Sequence, residues 1–298
     1  YRKNLKDFII LLKNRRKIGG YIDGGLLSLL YGDYCYLSVG KNRIEFPTRY
    51  WHTLLYAHKL FKCGFVPTWS GDKVYYAFNG LNFSSSAIDA SIAETLIEIF
   101  IDNEYKLDRY SVKNKVVLDV GANIGDSSVN FILNGAKIVH AFEPLPSLHD
   151  ILHENILLNE MEGRIIVHKV GFSDSNKIVS IWTKPHGSAC ASTLYHSLDN
   201  KQFNHLVEQK LKLVNSLEYL EDNKLTNIDV LKMDCEGCEY DVITKNFIRK
   251  LNPTIIFLEY HETIQDFRSM LEVLGYAVEV QQKNSKVGLI YAEKFNKL

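Results

Sequence analysis

The sequence predicts an α/β protein: a doubly wound, mostly parallel seven-stranded sheet ending in an antiparallel hairpin, preceded by a mixed, mainly helical N-terminal region. Three observations carry this. After residue 112, short β-branched runs alternate with amphipathic stretches. Those runs are apolar throughout, as strands covered by helices on both faces are. The last two runs are joined only by the polar turn Lys283-Asn284-Ser285, so the final strand reverses.

The elements follow in order. Residues 1–20 carry seven basic side chains against Asp7 alone, while the whole chain balances 35 basic with 35 acidic residues. Leu5, Phe8, Ile9 and Leu12 recur at helical spacing, giving a basic amphipathic helix. Its ordinary reading is a helix docked on its own domain with a solvated basic face. Peripheral contact with an anionic membrane or a partner is the alternative. Up to residue 112 the periodicity is helical around Trp51–Leu60 and Ile88–Ile101 and strand-like at Tyr34–Val39 and Lys73–Phe78. No chemical motif falls there, so residues 1–112 are taken as an N-terminal α+β region on the acceptor or partner side.

From 113 to 298 the expected strands are Val116–Val120, Ile138–Phe142, Ile165–Val170, Ile228–Met233, Thr254–Tyr260, Tyr276–Gln282 and Val287–Ala292, with an extra strand at Ile178–Trp182. Helices are expected over Gly125–Leu133, Ser147–Asn159, Leu217–Asp222, Cys238–Leu251 and Ile264–Leu274.

A length of 298 residues with 46% hydrophobic and 23% charged side chains is enough for a proper core. The neutral balance argues against a nucleic-acid partner, whose phosphate contacts leave a basic excess. No apolar run reaches a membrane-spanning length and no signal peptide opens the chain. Cys35, Cys63, Cys190, Cys235 and Cys238 are odd in number and scattered, which is no disulfide framework and suggests a reducing, cytoplasmic setting.

Ligands of open α/β sheets bind beyond the carboxyl ends of the strands. The first of these strands ends in Asp119-Val-Gly121-Ala122-Asn123-Ile-Gly125-Asp126, where glycines permit a close backbone approach. The second ends in Glu143-Pro144, placing a carboxylate where it can accept both hydroxyls of a ribose. A dinucleotide fingerprint needs G-x-G-x-x-G, but here Asn123 and Asp126 hold the second and third glycine positions. A pyrophosphate would face Asp126. S-adenosylmethionine (SAM), which carries a sulfonium and an ammonium, is the better fit to a loop rich in acids.

The fourth strand ends in Lys232-Met-Asp234-Cys235-Glu236-Gly237-Cys238-Glu239, and the fifth in Glu259-Tyr-His261. Asp234, Glu236 and His261 are the candidate catalytic set, able to accept a hydroxyl proton. The constellation would also suit a divalent cation, but the residues stand at no recognised metal spacing, so no metal ligands are assigned. Glu239 has a second reading as an acid at a helix start, and His261 one as a satisfied strand-end histidine. The Cys235/Cys238 spacing matches a redox pair, yet the strand order is not thioredoxin-like and no second pair completes a zinc site. Passive, small buried side chains are expected.

Together these blocks resemble the FkbM family of SAM-dependent methyltransferases. They are Val117-Leu-Asp119-Val-Gly121-Ala122-Asn123-Ile-Gly125, Ala141-Phe-Glu143-Pro144, Gly171-Phe-Ser-Asp174, Ile228-Asp-Val-Leu-Lys232-Met-Asp234-Cys-Glu236-Gly237-Cys-Glu239 and Phe257-Leu-Glu259-Tyr-His261. The resemblance covers roughly residues 105–280 and implies a class I Rossmann-like fold, SAM as methyl donor, and O-methylation of a small-molecule, saccharide or glycoconjugate hydroxyl. It places Asp119, Gly121, Ala122, Asn123, Gly125, Glu143, Pro144 and Asp174 on the cofactor side. The competing functions are a NAD-dependent sugar oxidoreductase or epimerase, disfavoured by Asn123, Asp126 and the absence of a Tyr-x-x-x-Lys pair, and a non-catalytic SAM-binding module.

Overall fold

The computed structural model describes residues 22–23, 32–87, 92–183, 207–261 and 265–295, with residues 22–23, 51–52 and 265–266 described by backbone alone. The basic stretch 1–20 and Cys190 lie outside the described residues. The chain divides into two compact units, 1–101 and 102–298.

In the first unit, β1 (Ile22–Asp23), β2 (Tyr34–Val39) and β3 (Asn42–Pro47) form one antiparallel sheet. A 3₁₀ turn (Thr48–Thr53) and α1 (Leu54–Lys62) lead to a second sheet of β4 (Val66–Ser70), β5 (Lys73–Phe78) and β6 (Leu81–Ser86), followed by α2 (Ile92–Phe100). Among the described residues strands therefore outweigh helices, which corrects the expectation of a mainly helical region. The cause is turn chemistry. Gly40-Lys41, Gly71-Asp72 and Asn79-Gly80 each close a two-residue hairpin, and Gly40, Gly71, Asn79 and Gly80 all take the positive φ that such turns require. Phe65 stacks on Phe78 at 4.2 Å and Phe83 meets Phe100 at 5.1 Å, giving this unit its own aromatic core.

The second unit runs β7 (Val116–Val120), α3 (Asp126–Leu133), β8 (Ile138–Phe142), α4 (Pro146–Leu158), β9 (Ile165–His168), β10 (Gly171–Ser173), β11 (Lys177–Thr183) and β12 (Val207–Asn215). It continues with α5 (Ser216–Asp222), β13 (Val230–Met233), α6 (Glu239–Val242), α7 (Lys245–Leu251), β14 (Ile255–Tyr260), α8 (Gln265–Val273), β15 (Tyr276–Gln282) and β16 (Gly288–Lys294). The main sheet has seven strands in the order β15-β16-β14-β13-β7-β8-β9, with β16 alone reversed. A small sheet, β10-β12-β11, stands beside it. No helix among the described residues is long and apolar enough to cross a membrane.

The expected helix Cys238–Leu251 is instead two. Thr244 is extended and its Oγ1 accepts from the Phe247 N–H at 3.1 Å, capping α7 and ending α6 before it. Residues 102–112 belong with the second unit, and the reason is aromatic packing. Tyr105 is buried against Phe131 and Phe257, each at 5.4 Å, and Tyr110 stacks on Tyr291 at 5.7 Å. Lys106 and Arg109 also pair with Glu279 on β15.

Strand order reverses between β7 and β13, whose neighbours continue in opposite directions across the sheet. Their carboxyl ends therefore form the crevice where the candidate residues gather.

Candidate active site

The loop after β7 turns through three left-handed positions, Gly121 (φ 79°), Asn123 (φ 50°) and Gly125 (φ 88°). The glycines serve packing. A Cβ on Gly121 would run into the carbonyl oxygen of Asp234, and one on Gly125 would meet Leu152 Cδ1 of α4 at 2.5 Å. The close approach to the protein's own backbone and to Leu152 is a reason for glycine here beside the expected approach to a ligand. The N–H groups of Gly121 and Ala122 both donate to the Phe142 carbonyl at 3.0 Å, tying the loop to β8, and Ala122 is fully buried. Pro144 is half-buried and borders Gly171, where an added Cβ would lie 3.1 Å from its Cγ.

Asp119 has no exposed surface. Its Oδ2 accepts from the hydroxyls of Ser127 at 2.7 Å and Ser128 at 2.6 Å, and its Oδ1 pairs with Lys232 Nζ at 3.1 Å. Lys232 in turn donates to the Gly121 carbonyl at 2.6 Å. Burial alone would push the Lys232 ammonium down, but Asp119 and Asp234 outweigh it and hold it above its ordinary range. Asp119 thus braces the loop from behind, and Lys232, a lone charge in an apolar strand, is the partner that sequence reading left without a role.

Glu143 is buried at the end of β8. Its Oε2 accepts from the Asn123 N–H at 3.0 Å and its Oε1 from the Leu145 N–H at 2.8 Å. Burial pushes its carboxyl up to about 7 against the pull of those two N–H groups. Each oxygen keeps a further lone pair for a ligand hydroxyl. Beside it, Asn123 Oδ1 is buried without a hydrogen-bond partner among the described residues.

Asp174 sits on the exposed turn after β10, where its carboxylate accepts from Ser173, Ser175 and Lys177. Those donors hold its carboxyl below the usual range.

The acids after β13 and β14 converge. The Asp234 N–H donates to the Val120 carbonyl at 3.0 Å, pinning it beside β7. Glu236 takes a left-handed φ of 56°, and its Oε2 lies 3.5 Å from His261 Nε2. Asp234, Glu259 and His261 each bring a ligand-type atom within 4.8 Å of the others. The structure brings Asp234 and His261 together with Glu259, and Glu236 beside His261; Glu259 stands outside the catalytic set that the sequence suggested.

Burial, with Asp234 alongside, pushes Glu259 up to about 10, Lys283 opposing. Lys283 Nζ lies 3.1 Å from Glu259 Oε1 and also pairs with Glu104. Burial raises Glu236 and Glu239 as well, His261 opposing at Glu236 and the Cys235 N–H at Glu239. Glu239 is fully buried, and its two oxygens accept from the Cys235 and Gly237 N–H groups, each at 2.7 Å. It is a loop brace, as the helix-start reading allows.

Cys235 and Cys238 are joined by a disulfide, with Cα atoms 5.5 Å apart, which corrects the expectation of two independent small side chains. A C-x-x-C spacing across a left-handed Glu-Gly pair brings the sulfurs together.

Sequence reading also missed a polar chain beside the site, running from β8 to the end of β9 and on to α5. His140 Nδ1 lies 3.2 Å from His168 Nε2, and His168 Nδ1 lies 3.1 Å from the Tyr219 hydroxyl. Burial, with His140 adding to it, lowers His168 to about 4, and its ring stacks on Phe142 at 4.3 Å.

Residues 119–283, more than half of the chain, match the family described as the methyltransferase FkbM domain. A methyltransferase, sdnD, of Sordaria araneosa is 30% identical over 172 residues, which cover 49% of this chain and 65% of that protein. The hexuronic acid methyltransferase AglP of Haloferax volcanii is 24% identical over 186 residues, covering 62% of this chain and 72% of that protein. Among solved structures, the methyltransferase FkbM from Methylobacillus flagellatus KT aligns with a TM-score of 0.44 at 16% identity, covering 66% of this chain and 47% of that one. The chain thus spans less than two thirds of the fungal relative's length.

Proposed function

From the premise that this chain belongs to the FkbM family of SAM-dependent methyltransferases, we propose that it methylates a hydroxyl oxygen of a saccharide or hydroxylated natural product. The carrying observation is the closeness of two sets of residues. Gly121, on the loop after β7, packs against the backbone of Asp234, whose side chain sits among Glu236, Glu259 and His261.

The loop residues fit the cofactor. Glu143 has acceptor capacity left for the ribose hydroxyls, and the buried Asn123 Oδ1 lacks a donor that the cofactor's polar groups can supply. Asp119, Gly121, Ala122 and Gly125 set the shape of that loop from behind, and Pro144 borders its exit. SAM supplies a methyl group already activated on a sulfonium.

Asp234 holds the acceptor hydroxyl and takes its proton, with Glu236 and His261 beside it sharing the charge. As the O–H bond breaks towards Asp234, the acceptor oxygen would take the methyl group of SAM held by the loop, whose sulfur would leave as a neutral thioether, so charge balances. Alignment of the two reactants against fixed strand ends supplies the rest of the rate. The name of one relative, a hexuronic acid methyltransferase, supports an oxygenated acceptor. Asp234 would repel a carboxylate acceptor, which favours a hydroxyl.

The test is Asp234→Asn, assayed by mass spectrometry of methylated sugars and hydroxylated natural products. Turnover should fall by roughly 10²–10⁴ while SAM affinity by calorimetry stays nearly intact. A full-speed Asp234→Asn enzyme at saturating acceptor would reject the assignment.

A further inference from the structure

Asp234 and Glu259 are neighbours across a strand pair. Met233 of β13 is in register with Leu258 of β14, and each acid follows its registered residue directly. His261 lies two positions beyond Glu259, so all three are held by the ends of two central strands rather than by a long loop. Their ligand-type atoms lie within 4.8 Å of one another. Three ligands at about 2.1 Å from a common ion stand about 3 to 3.6 Å apart, so closing on an ion takes a contraction of at most about 2 Å.

Acidic side chains outnumber basic ones around these three. Glu104, Glu236 and Glu239 add to Asp234 and Glu259, against Lys283 and His261. Lys232 is not available, being committed to Asp119 and the Gly121 carbonyl. A second observation points to a ligand. His261 Nδ1 is buried and has no hydrogen-bond partner among the described residues; its nearest carboxylate oxygen, on Glu239, is 3.9 Å away. A buried ring nitrogen left unsatisfied beside two carboxylates is costly unless something fills the gap. Cys235 and Cys238 are spent on each other, so no thiolate competes for the ion.

We propose that Asp234, Glu259 and His261 bind a divalent transition-metal ion at the carboxyl edge of the sheet. One imidazole with two carboxylates suits Mn²⁺ or Zn²⁺ better than Mg²⁺, which prefers oxygen ligands and keeps its waters. Resting on the methyl-transfer reading above, the ion takes over from Asp234 the holding of the acceptor hydroxyl and polarises it, and the proton passes to Glu236 beside it.

The experiment uses chelator-stripped, tag-free protein titrated with Mn²⁺, Zn²⁺ and Mg²⁺ separately. Calorimetry reads all three, and loss of the free-ion spin-resonance signal reads Mn²⁺. One site per chain is expected, with Mn²⁺ and Zn²⁺ bound at least about tenfold more tightly than Mg²⁺. Glu259→Gln and His261→Ala should each weaken Mn²⁺ binding by at least about tenfold. Circular dichroism and S-adenosylhomocysteine affinity should be unchanged in both variants, and Glu259→Gln relieves crowding among the acids, so it should fold. No binding of Mn²⁺ or Zn²⁺ by the parent protein, or binding that survives in both variants, overturns the proposal. The two readings fail separately. A stripped enzyme that methylates hydroxyls at full rate and binds no ion sinks the cation alone. Stoichiometric Mn²⁺ binding lost in both variants, with no methylation of any hydroxyl, sinks the acceptor assignment and leaves the site standing.

Discussion

Glu143→Gln tests the cofactor side most directly. Burial lifts the Glu143 carboxyl from an ordinary 4.5 to about 7, and at 1.36 kcal/mol per unit this is about 3 kcal/mol. Because the folded protein holds this proton more tightly, the stabilisation is fully present below about pH 4.5 and is lost as pH rises through about 7. Cofactor binding pulls the other way. Two ribose hydroxyls donating to an ionised carboxylate are worth about 1.5 kcal/mol each at the low end, which lowers the bound-state pKa by about two units. Affinity for S-adenosylhomocysteine, which cannot turn over, should therefore fall about tenfold per pH unit between roughly pH 7 and 5. In Glu143→Gln, one of the Asn123 and Leu145 N–H groups faces an amide NH₂ in place of an oxygen. Affinity at pH 8 should drop at least tenfold, roughly one charge-assisted bond, and the slope should vanish. Calorimetry from pH 5 to 8 on both proteins measures this. A flat parent profile, or a Gln variant that binds as well as the parent at pH 8, refutes the ribose assignment.

Three further changes separate bracing from chemistry. Gly121→Ala drives a Cβ into the Asp234 carbonyl at a positive φ, so urea unfolding should show a loss of roughly 2–6 kcal/mol; a change within about 0.5 kcal/mol would mean the loop is slack. Lys232→Met leaves the Asp119 charge buried without its ion partner and should cost about 3–5 kcal/mol, part of which Asp119→Asn restores in the double variant; additive losses in the pair would contradict the coupling. Cys235→Ala with Cys238→Ala should keep turnover within a few-fold of the parent, since Glu239 holds the same loop through two backbone N–H groups. A rate that tracks dithiothreitol would show the disulfide to be more than a second brace.

What the sequence made legible follows the strength of local signals. Val116–Val120 and Ile138–Phe142 have the expected bounds, because each apolar run stops at a glycine loop or a Glu-Pro corner. The hairpins of the first unit carried readable turn signals too, but strands such as Leu81–Ser86 end in Ser-Ser-Ser and lack apolar alternation. β12 alternates Lys210 and Lys212 with the buried Leu211 and Leu213, a period-two pattern thinned by its charges. In the site, Asp234, Glu236 and His261 could be read because they follow strands in sequence. Glu104 and Lys283 could not, since they reach Glu259 through tertiary packing of distant segments. Nor does a glycine in a sequence say whether its missing Cβ makes way for a ligand or for the protein's own backbone.

That last ambiguity decides how the site works as a unit. Gly121 backs onto the Asp234 carbonyl, the Asp234 N–H holds the Val120 carbonyl, and Lys232 bridges the Gly121 carbonyl and Asp119. The loop after β7 and Asp234 after β13 are thus parts of one hydrogen-bonded block spanning the two strands. Groups held this way keep their spacing without a closing motion, and methyl transfer depends on spacing because its reactant is already activated. A displacement at Gly121 cannot be absorbed by the loop alone; it moves Asp234. Under the proposed methyl transfer, Gly121 would therefore act on the acceptor side as much as on the donor side, through its backbone contact with Asp234.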